Sequence, residues 1–217
     1  MYKRQEEALP IYEQALDLAV SRYGEGDPRP LVYMNNVASS YRKAGRVEDS
    51  VAMLRKALAT AKSVYGEQHF ATITLMGNLA QSLEQLEKYE ESTVLVQRVY
   101  DLSVAEFGEE HPKSIDALSN LAITLDLEGR SGEAMQMQEK AMNLAIKVNG
   151  NEHPDTIRMM SSYSMFLKDA GRLDEAFELC KQVVDLTREC FGNTNPGKLE
   201  KARSKLAGVE KALEKSE

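Results

Sequence analysis

Three histidines come closest to a chemical signature, because imidazole is a common zinc ligand. His69, His111 and His153 recur at intervals of 42 residues. Ligands of one zinc ion must all lie about 2 Å from it, whereas successive helical units are separated by about 10 Å, since packed helices lie 8–10 Å apart. A single zinc ion therefore cannot be bound by all three histidines. The pattern predicts a structural role for each histidine, in capping a helix and packing a loop.

Two cysteines, Cys180 and Cys190, fall ten residues apart within one predicted helix. That spacing separates them by about 15 Å along the helix axis, while a disulfide needs Cα atoms about 4.4–6.8 Å apart. We therefore expect two buried free thiols, as in a reducing compartment.

Acidic pairs recur at one helix start, where carboxylates favour the positive end of the helix dipole. They are Glu48–Asp49, Glu90–Glu91 and Asp174–Glu175. The glycines stand singly at helix ends, so no phosphate-binding loop is formed, and no serine lies in a strained elbow motif. The sequence predicts no enzyme, no cofactor and no metal site.

All of these residues belong to a strict sequence repeat, which sets their positions in the fold. Five glycines are spaced 42 residues apart, and the strings around them agree as YGEGDP, YGEQHF, FGEEHP, NGNEHP and FGNTNP; they are Gly24, Gly66, Gly108, Gly150 and Gly192. Regular self-similarity of this length predicts one supersecondary module stacked repeatedly on the next.

Two helices can be predicted in each module. The residue before the first helix is Asp27, His69, His111, His153 or Asn195, followed by Pro in four cases and by Phe70 in the other; Pro is favoured at a first helical position. Apolar residues then recur at helical spacing, as Met34, Val37, Ala38 and Tyr41 in the first helix and as Val51, Leu54, Leu58 and Ala61 in the second. Gly45 and Gly66 end these helices.

Glu87 replaces the turn glycine of the second module. Either a non-glycine residue adopts a left-handed conformation there, or the geometry of that turn differs.

These modules predict an all-α single domain over residues 1–217. Complete repeats span 27–66, 69–108, 111–150 and 153–192, with an orphan second helix at 3–24 and a charged capping helix at 196–217. We expect about ten long helices plus that cap, whose lysines would be solvated. The missing partner of the orphan helix suggests a fragment of a longer array, with Met1 an expression start. Its residues Leu9, Tyr12 and Leu16 would either mediate self-association or pack on the first complete pair.

Small residues recur where paired helices approach, at Ala38, Ala80, Ala122 and Ser164, and at Ser50, Ser92, Ala134 and Ala176. This pattern resembles the tetratricopeptide repeat. The 42-residue spacing, the strings NNVA and SNLA, and the G-x-x-H-P loop are similar to the longer variant found in kinesin light chains. The resemblance implies a right-handed α-solenoid, with first helices on a concave, peptide-binding face.

Residues of the first helices that point away from the apolar stripe are the binding candidates. They are Asn35, Asn36, Ser39, Arg42, Asn78, Gln81, Asn120, Ile123, Arg158 and Ser162. Asn36, Asn78 and Asn120 form a ladder whose amides can donate to and accept from a peptide backbone. The alternative is that each asparagine bridges neighbouring first helices, and the two roles are compatible. No set of lysines and arginines converges on the ladder, so a cationic clamp is not expected.

The composition bounds the partners. The net charge of −7 disfavours binding to nucleic acid phosphates, and neither a membrane span nor a secretory signal is visible. We expect a cytoplasmic, non-enzymatic scaffold of the adaptor type that binds a protein or peptide. The alternative is a sensor or oligomerisation arm of a larger signalling protein whose nucleotide-binding domain lies outside these residues.

Overall fold

A computed structural model describes residues 2–192 and 194–215, and all regular secondary structure in these ranges is α-helical. The helices are α1 (Tyr2–Tyr23), α2 (Leu31–Lys43), α3 (Val47–Tyr65), α4 (Phe70–Gln85), α5 (Tyr89–Phe107), α6 (Pro112–Leu127), α7 (Ser131–Asn149), α8 (Pro154–Asp169), α9 (Leu173–Phe191) and α10 (Pro196–Leu213). The predicted all-α fold class is confirmed. The C-terminal helix is itself the tenth, because one unpaired helix and four pairs precede it. Met1 and the last two residues of the predicted cap lie outside the described ranges.

The chain divides into two compact units, residues 1–102 and 103–217, and the division falls inside α5. In the first unit each of α1, α2 and α3 packs against the helix that follows it. In the second unit the same holds for α6, α7, α8 and α9. Within each unit, these helices that follow one another in sequence also pack together in space, as expected for helical hairpins joined by short turns.

Histidine caps begin three of the first helices. The Nδ1 atoms of His69, His111 and His153 accept hydrogen bonds of 3.2 Å from the backbone N–H two residues later. The preceding aromatic ring stacks on the cap in two cases, with centroid distances of 4.4 Å for Tyr65 on His69 and 4.7 Å for Phe107 on His111. The predicted capping and loop-packing role is confirmed, because each imidazole satisfies a backbone donor that a helix start leaves unpaired.

The first complete repeat begins differently from the prediction. Asp27 does not cap a helix at Pro28, and α2 starts only at Leu31. Asp27 instead accepts bonds from the backbone N–H and the guanidinium of Arg29, at 2.7–2.9 Å. Pro30 accounts for the delay, because a proline disfavours helical geometry in the residue before it.

The turns inside the hairpins share one left-handed residue. Gly45, Gly129 and Gly171 have φ values of 80°, 90° and 77°, and Glu87 takes the equivalent place with φ 57°. The N–H after Glu87, that of Lys88, bonds to the Leu83 carbonyl at 2.9 Å, as the N–H of Arg46 bonds to Tyr41. Of the two alternatives for this turn, a left-handed non-glycine residue is the one observed.

Small residues allow close helix contact inside each unit. In the first unit the hydroxyls of Ser50 and Ser82 lie 3.0 Å apart and are fully buried. In the second, the buried Ser119 hydroxyl donates to Gln138 Oε1 at 2.8 Å, and Gln138 Nε2 donates to the Met159 carbonyl at 3.3 Å. Gln138 therefore joins α6, α7 and α8 within the core.

Candidate functional site

The residues whose types could hold a metal or form a disulfide lie in surroundings that suit a structural role. Among the side chains that the structure describes, no group of three or more His, Cys, Asp or Glu residues is arranged to hold a metal. Cys180 is buried, whereas Cys190 is only partly buried and its thiol donates to the Glu152 carbonyl at 3.4 Å. The expectation of two buried thiols is therefore wrong for Cys190, which lies on the last turn of α9 near its end.

The first-helix face of the first unit, formed by α2 and α4, carries an amide pair. Asn78 Nδ2 donates to Asn35 Oδ1 at 2.7 Å, and both side chains are half-buried. The bond joins two successive first helices, as the bridging interpretation of the asparagines predicts. It uses Asn35 and not the ladder residue Asn36. The bond occupies one of the two Nδ2–H donors of Asn78 and one of the two lone pairs of Asn35 Oδ1, so the pair keeps further donors and acceptors for another partner.

The other candidates of this face surround the amide pair on the same two helices. Asn36, Ser39 and Arg42 are half-buried, and Gln81 is exposed. The Asn36 carbonyl accepts from Ser40, but its side-chain amide makes no hydrogen bond to the described residues. This amide is thus accessible in part and unpaired within the described chain.

An apolar groove of about 230 Å3 lies beside the amide pair, between α2 and α4. Asn35 lines it together with Val32, Tyr65 and Phe70. Phe70 is 72% exposed and Val32 is 59% exposed. The sequence does not predict the exposure of Phe70, but it marks the position, because Phe70 replaces the proline found in the other repeats.

The first-helix face of the second unit combines α6, α8 and α10. Asn120 and Ile123 are exposed on α6, and Ser162 is half-buried on α8. Arg158 forms a close ion pair with Asp116 and lies 3.7 Å from Asp155. The Arg158 charge is therefore largely compensated by two carboxylates.

A second cavity, of about 460 Å3, lies between α8, α9 and α10. Lys198, Lys201 and Lys205 line it from α10, and Arg158 and Ser161 line it from α8. Lys205 Nζ donates to Ser161 Oγ at 2.8 Å, and burial lowers the pKa of this lysine. The expectation that the α10 charges are simply solvated is wrong for Lys205.

These lysines line a cavity beside α8 and α9 and not the asparagine ladder, so the expectation that no cationic set converges on the ladder stays a prediction. They occupy positions i, i+3 and i+7 of α10, the spacing of one helical stripe. The stripe is visible in the sequence, but the interpretation of α10 as an outer cap, and not as a further first helix, gives it no role.

The exposure of residues in α1 distinguishes between self-association and packing on the first complete pair. Leu16 is buried in the core of the first unit, and Tyr12 is 38% exposed. Leu16 therefore follows the packing alternative, while Ile11 and Leu18 of the same helix are strongly exposed, at 65% and 73%. Within the described residues, no helix has the length and hydropathy that crossing a bilayer requires.

Comparison with known sequences gives matches along most of the chain. A family profile described as Tetratricopeptide repeat matches residues 3–63, 29–103 and 74–147, and a second profile of the same description matches 156–197. A search of curated proteins gave no match.

Solved structures resemble the chain in fold. The nearly identical TPR-like repeats of a Podosopora anserina protein described as a kinesin light chain superpose with a TM-score of 0.78 at 20% identity, covering 88% of this chain and 90% of that one. BtubC (BKLC) from P. vanneervenii gives 0.78 at 15% identity, covering 96% and 84%. MamA gives 0.57 at 17% identity, covering 85% and 90%. The chain thus shares its fold with these three structures.

Proposed function

Because the chain belongs to the tetratricopeptide repeat family, we propose that it is a non-enzymatic scaffold that binds a peptide segment of a partner protein on its first-helix faces. The observation that carries this proposal is the groove between α2 and α4, where exposed apolar side chains lie beside the Asn35–Asn78 amide pair. Binding sites combine apolar walls with a few polar groups that fix orientation, and this groove has both.

The groove suits one part of an extended peptide. Phe70 and Tyr65 offer large apolar surfaces whose burial favours association, and Val32 flanks them. The amide pair and Asn36 supply donors and acceptors for a peptide main chain. A peptide anchored by one apolar side chain would therefore be held in register by the asparagines.

The remaining candidates extend this role along each face. Ser39, Arg42 and Gln81 continue from the groove in the first unit, and Asn120, Ile123 and Ser162 provide the same kinds of side chain in the second unit. We assign them to contacts with further residues of the ligand. A cytoplasmic, adaptor-type role is part of the proposal, and the free Cys180 and Cys190 thiols agree with a reducing compartment.

Selection of a displayed peptide library on the whole chain tests this function. Val32→Asp places a charge at the groove, and Val94→Asp places one at another strongly exposed site, on α5 and outside the groove. We expect selected peptides to bind Val32→Asp at least tenfold more weakly and Val94→Asp as tightly as the wild type, by fluorescence anisotropy. Circular dichroism establishes that both variants are folded.

Two outcomes would contradict the proposal. One is a library that yields no specific binder to the folded chain. The other is a set of binders whose affinities fall equally in Val32→Asp and Val94→Asp, since such binders would respond to net charge and not to the groove.

A further inference from the structure

The cavity between α8, α9 and α10, here called the lysine cavity, has an unusual local charge. Lys198, Lys201 and Lys205 line one wall, and Asp155 is the carboxylate that lines it. Arg158 also lines the cavity but is compensated by Asp116 and Asp155. The cavity is therefore positive, although the whole chain has a net charge of −7.

The three lysines have no carboxylate partner. Across the described residues, no Asp or Glu oxygen forms an ion pair with any of their ammonium groups. Lys198 Nζ lies over the Phe191 ring, 4.1 Å from its centroid, and Lys205 Nζ reaches Ser161. By contrast, the lysines and arginines at many exposed places of the chain are paired, as Lys56 is with Glu25. Uncompensated cations gathered around a cavity favour an anionic ligand.

The starts of two helices strengthen the positive potential of the cavity. The cavity includes the first turn of α8, at Pro154 and Asp155, and the first turn of α10, at Lys198. Helix N-termini carry partial positive charge, which adds to the potential of the lysines. Burial of Lys205 makes its own charged form costly, and a bound carboxylate would offset that cost.

The floor of the cavity indicates what else the ligand contains. Ile157, Val183 and Ala202 are buried apolar residues of its lining, and Phe191 is partly buried beside them. A free inorganic anion would leave this apolar surface uncovered. A peptide that combines carboxylates with an apolar side chain would cover it, because burial of apolar area favours association.

We propose that the lysine cavity binds an acidic peptide segment, with its Asp or Glu carboxylates on Lys198, Lys201 and Lys205 and a neighbouring apolar side chain over Phe191. This inference rests on the proposed function and gives the partner chemistry for the first-helix face of the second unit. Lys201 is exposed and unpaired within the described chain, so it is the most direct contact for an incoming carboxylate.

Direct titration of the whole chain tests the inference. The probe is a fluorescein-labelled peptide GELEDLEG with blocked ends, and its uncharged counterpart is GQLQNLQG. We expect the acidic peptide to bind at least tenfold more tightly than the amide peptide. Its affinity should fall as sodium chloride rises from low to physiological concentration, because salt screens exposed charge pairs.

Charge variants of α10 locate the site. Lys201→Glu should weaken binding of the acidic peptide at least tenfold, and Lys201→Gln should weaken it less. Lys211→Gln, an exposed lysine of the same helix outside the cavity, should leave the affinity unchanged. Lys205→Gln should also weaken binding; if that half-buried substitution unfolds the chain, the Lys201 variants still decide the question.

Several results would overturn the inference. Equal binding of the two peptides, or equal loss in Lys201→Gln and Lys211→Gln, would remove the cavity as the site. Displacement of the peptide by inorganic phosphate at equal concentration would indicate a simple anion site. Loss of acidic-peptide binding in Val32→Asp but not in Lys201→Glu would assign that peptide to the α2–α4 groove, so the inference would fail while the scaffold function stands.

Discussion

Asn78 of α4 donates from Nδ2 to Oδ1 of Asn35 in α2, at 2.7 Å and across 43 residues of sequence. The repeat period is 42 residues, so the bond runs to the neighbour of the equivalent ladder residue. Two half-buried amides thus satisfy each other between successive first helices. They have a structural role that does not prevent them from contacting a ligand.

The amide pair predicts a non-additive stability effect. Asn78→Ala and Asn35→Ala should each lower the free energy of unfolding by about 1 kcal/mol, because each leaves the other amide without its partner. The double variant should lose less than the sum of the two, since the second substitution removes an already broken bond. Urea unfolding of all three variants measures the coupling.

Asn36→Ala is the matched control for that cycle. Its side-chain amide makes no hydrogen bond to the described residues, so we expect a change within about 0.5 kcal/mol. A cost for Asn36→Ala equal to that of Asn78→Ala would refute the assignment of the structural bond.

Substitution of the buried Gln138, in the second unit, should lower the free energy of unfolding more than substitution of the amide pair. Gln138→Leu should destabilise the chain by about 2 kcal/mol, because it removes the acceptor for the buried Ser119 hydroxyl. Adding Ser119→Ala should recover part of that loss, since both ends of the pair are then apolar. Gln136→Leu, at an exposed site of α7, should change stability by less than about 0.5 kcal/mol.

Denaturant unfolding of these variants checks the role of the bond. The interpretation fails if Ser119→Ala added to Gln138→Leu makes the chain less stable still, because volume and not hydrogen bonding would then explain the loss.

The left-handed Glu87 predicts a stabilising substitution. Glu87→Gly should raise the free energy of unfolding by about 0.5–1 kcal/mol, because a non-glycine residue at φ 57° is strained and the gain exceeds the entropic cost of glycine. Glu87→Ala keeps the Cβ atom and the strain, so it should give no such gain. Equal stabilisation by both substitutions, measured by thermal unfolding, would point to the lost charge and not to the backbone.

Asp27 predicts a titration at unusually low pH. Hydrogen bonds from the side chain and the backbone of Arg29 lower the pKa of Asp27 from 3.8 to about 2. Because the folded pKa lies below the unfolded one, the stabilisation by this carboxylate is present above pH 3.8 and is lost as the pH falls towards 2. The stability difference between the wild type and Asp27→Asn should shrink over that window.

Carboxyl-detected NMR measures the pKa of Asp27 directly. In Arg29→Gln the pKa should rise towards 3.8, while Arg42→Gln, which substitutes an arginine of α2 that does not contact Asp27, should leave it unchanged. A pKa near 3.8 in the wild-type chain would contradict the observed contact.

Sequence reasoning succeeded wherever one local interaction decides the structure. Each histidine cap follows from its position two residues before the backbone N–H that it binds. At Glu87 the sequence left two turn geometries open, and the structure has the left-handed one. It failed at Asp27, where Pro30 delays the helix by three residues and frees the carboxylate for Arg29. Asp27 followed by Pro28 indicates a helix start, whereas Pro30 disfavours helical geometry in the residue before it. The effect of Pro30 prevails.

The sequence alone determined the all-α class, the helical hairpins and their boundaries to within a few residues, because helix bonds, caps and turns act over about four positions along the chain. Only the tertiary structure decided that Asn78 pairs with Asn35, that Leu16 is buried and that Lys205 turns into a cavity beside Ser161. Those outcomes depend on which faces of separate helices meet, and a stripe of residues on one helix does not specify the side chains of its neighbour.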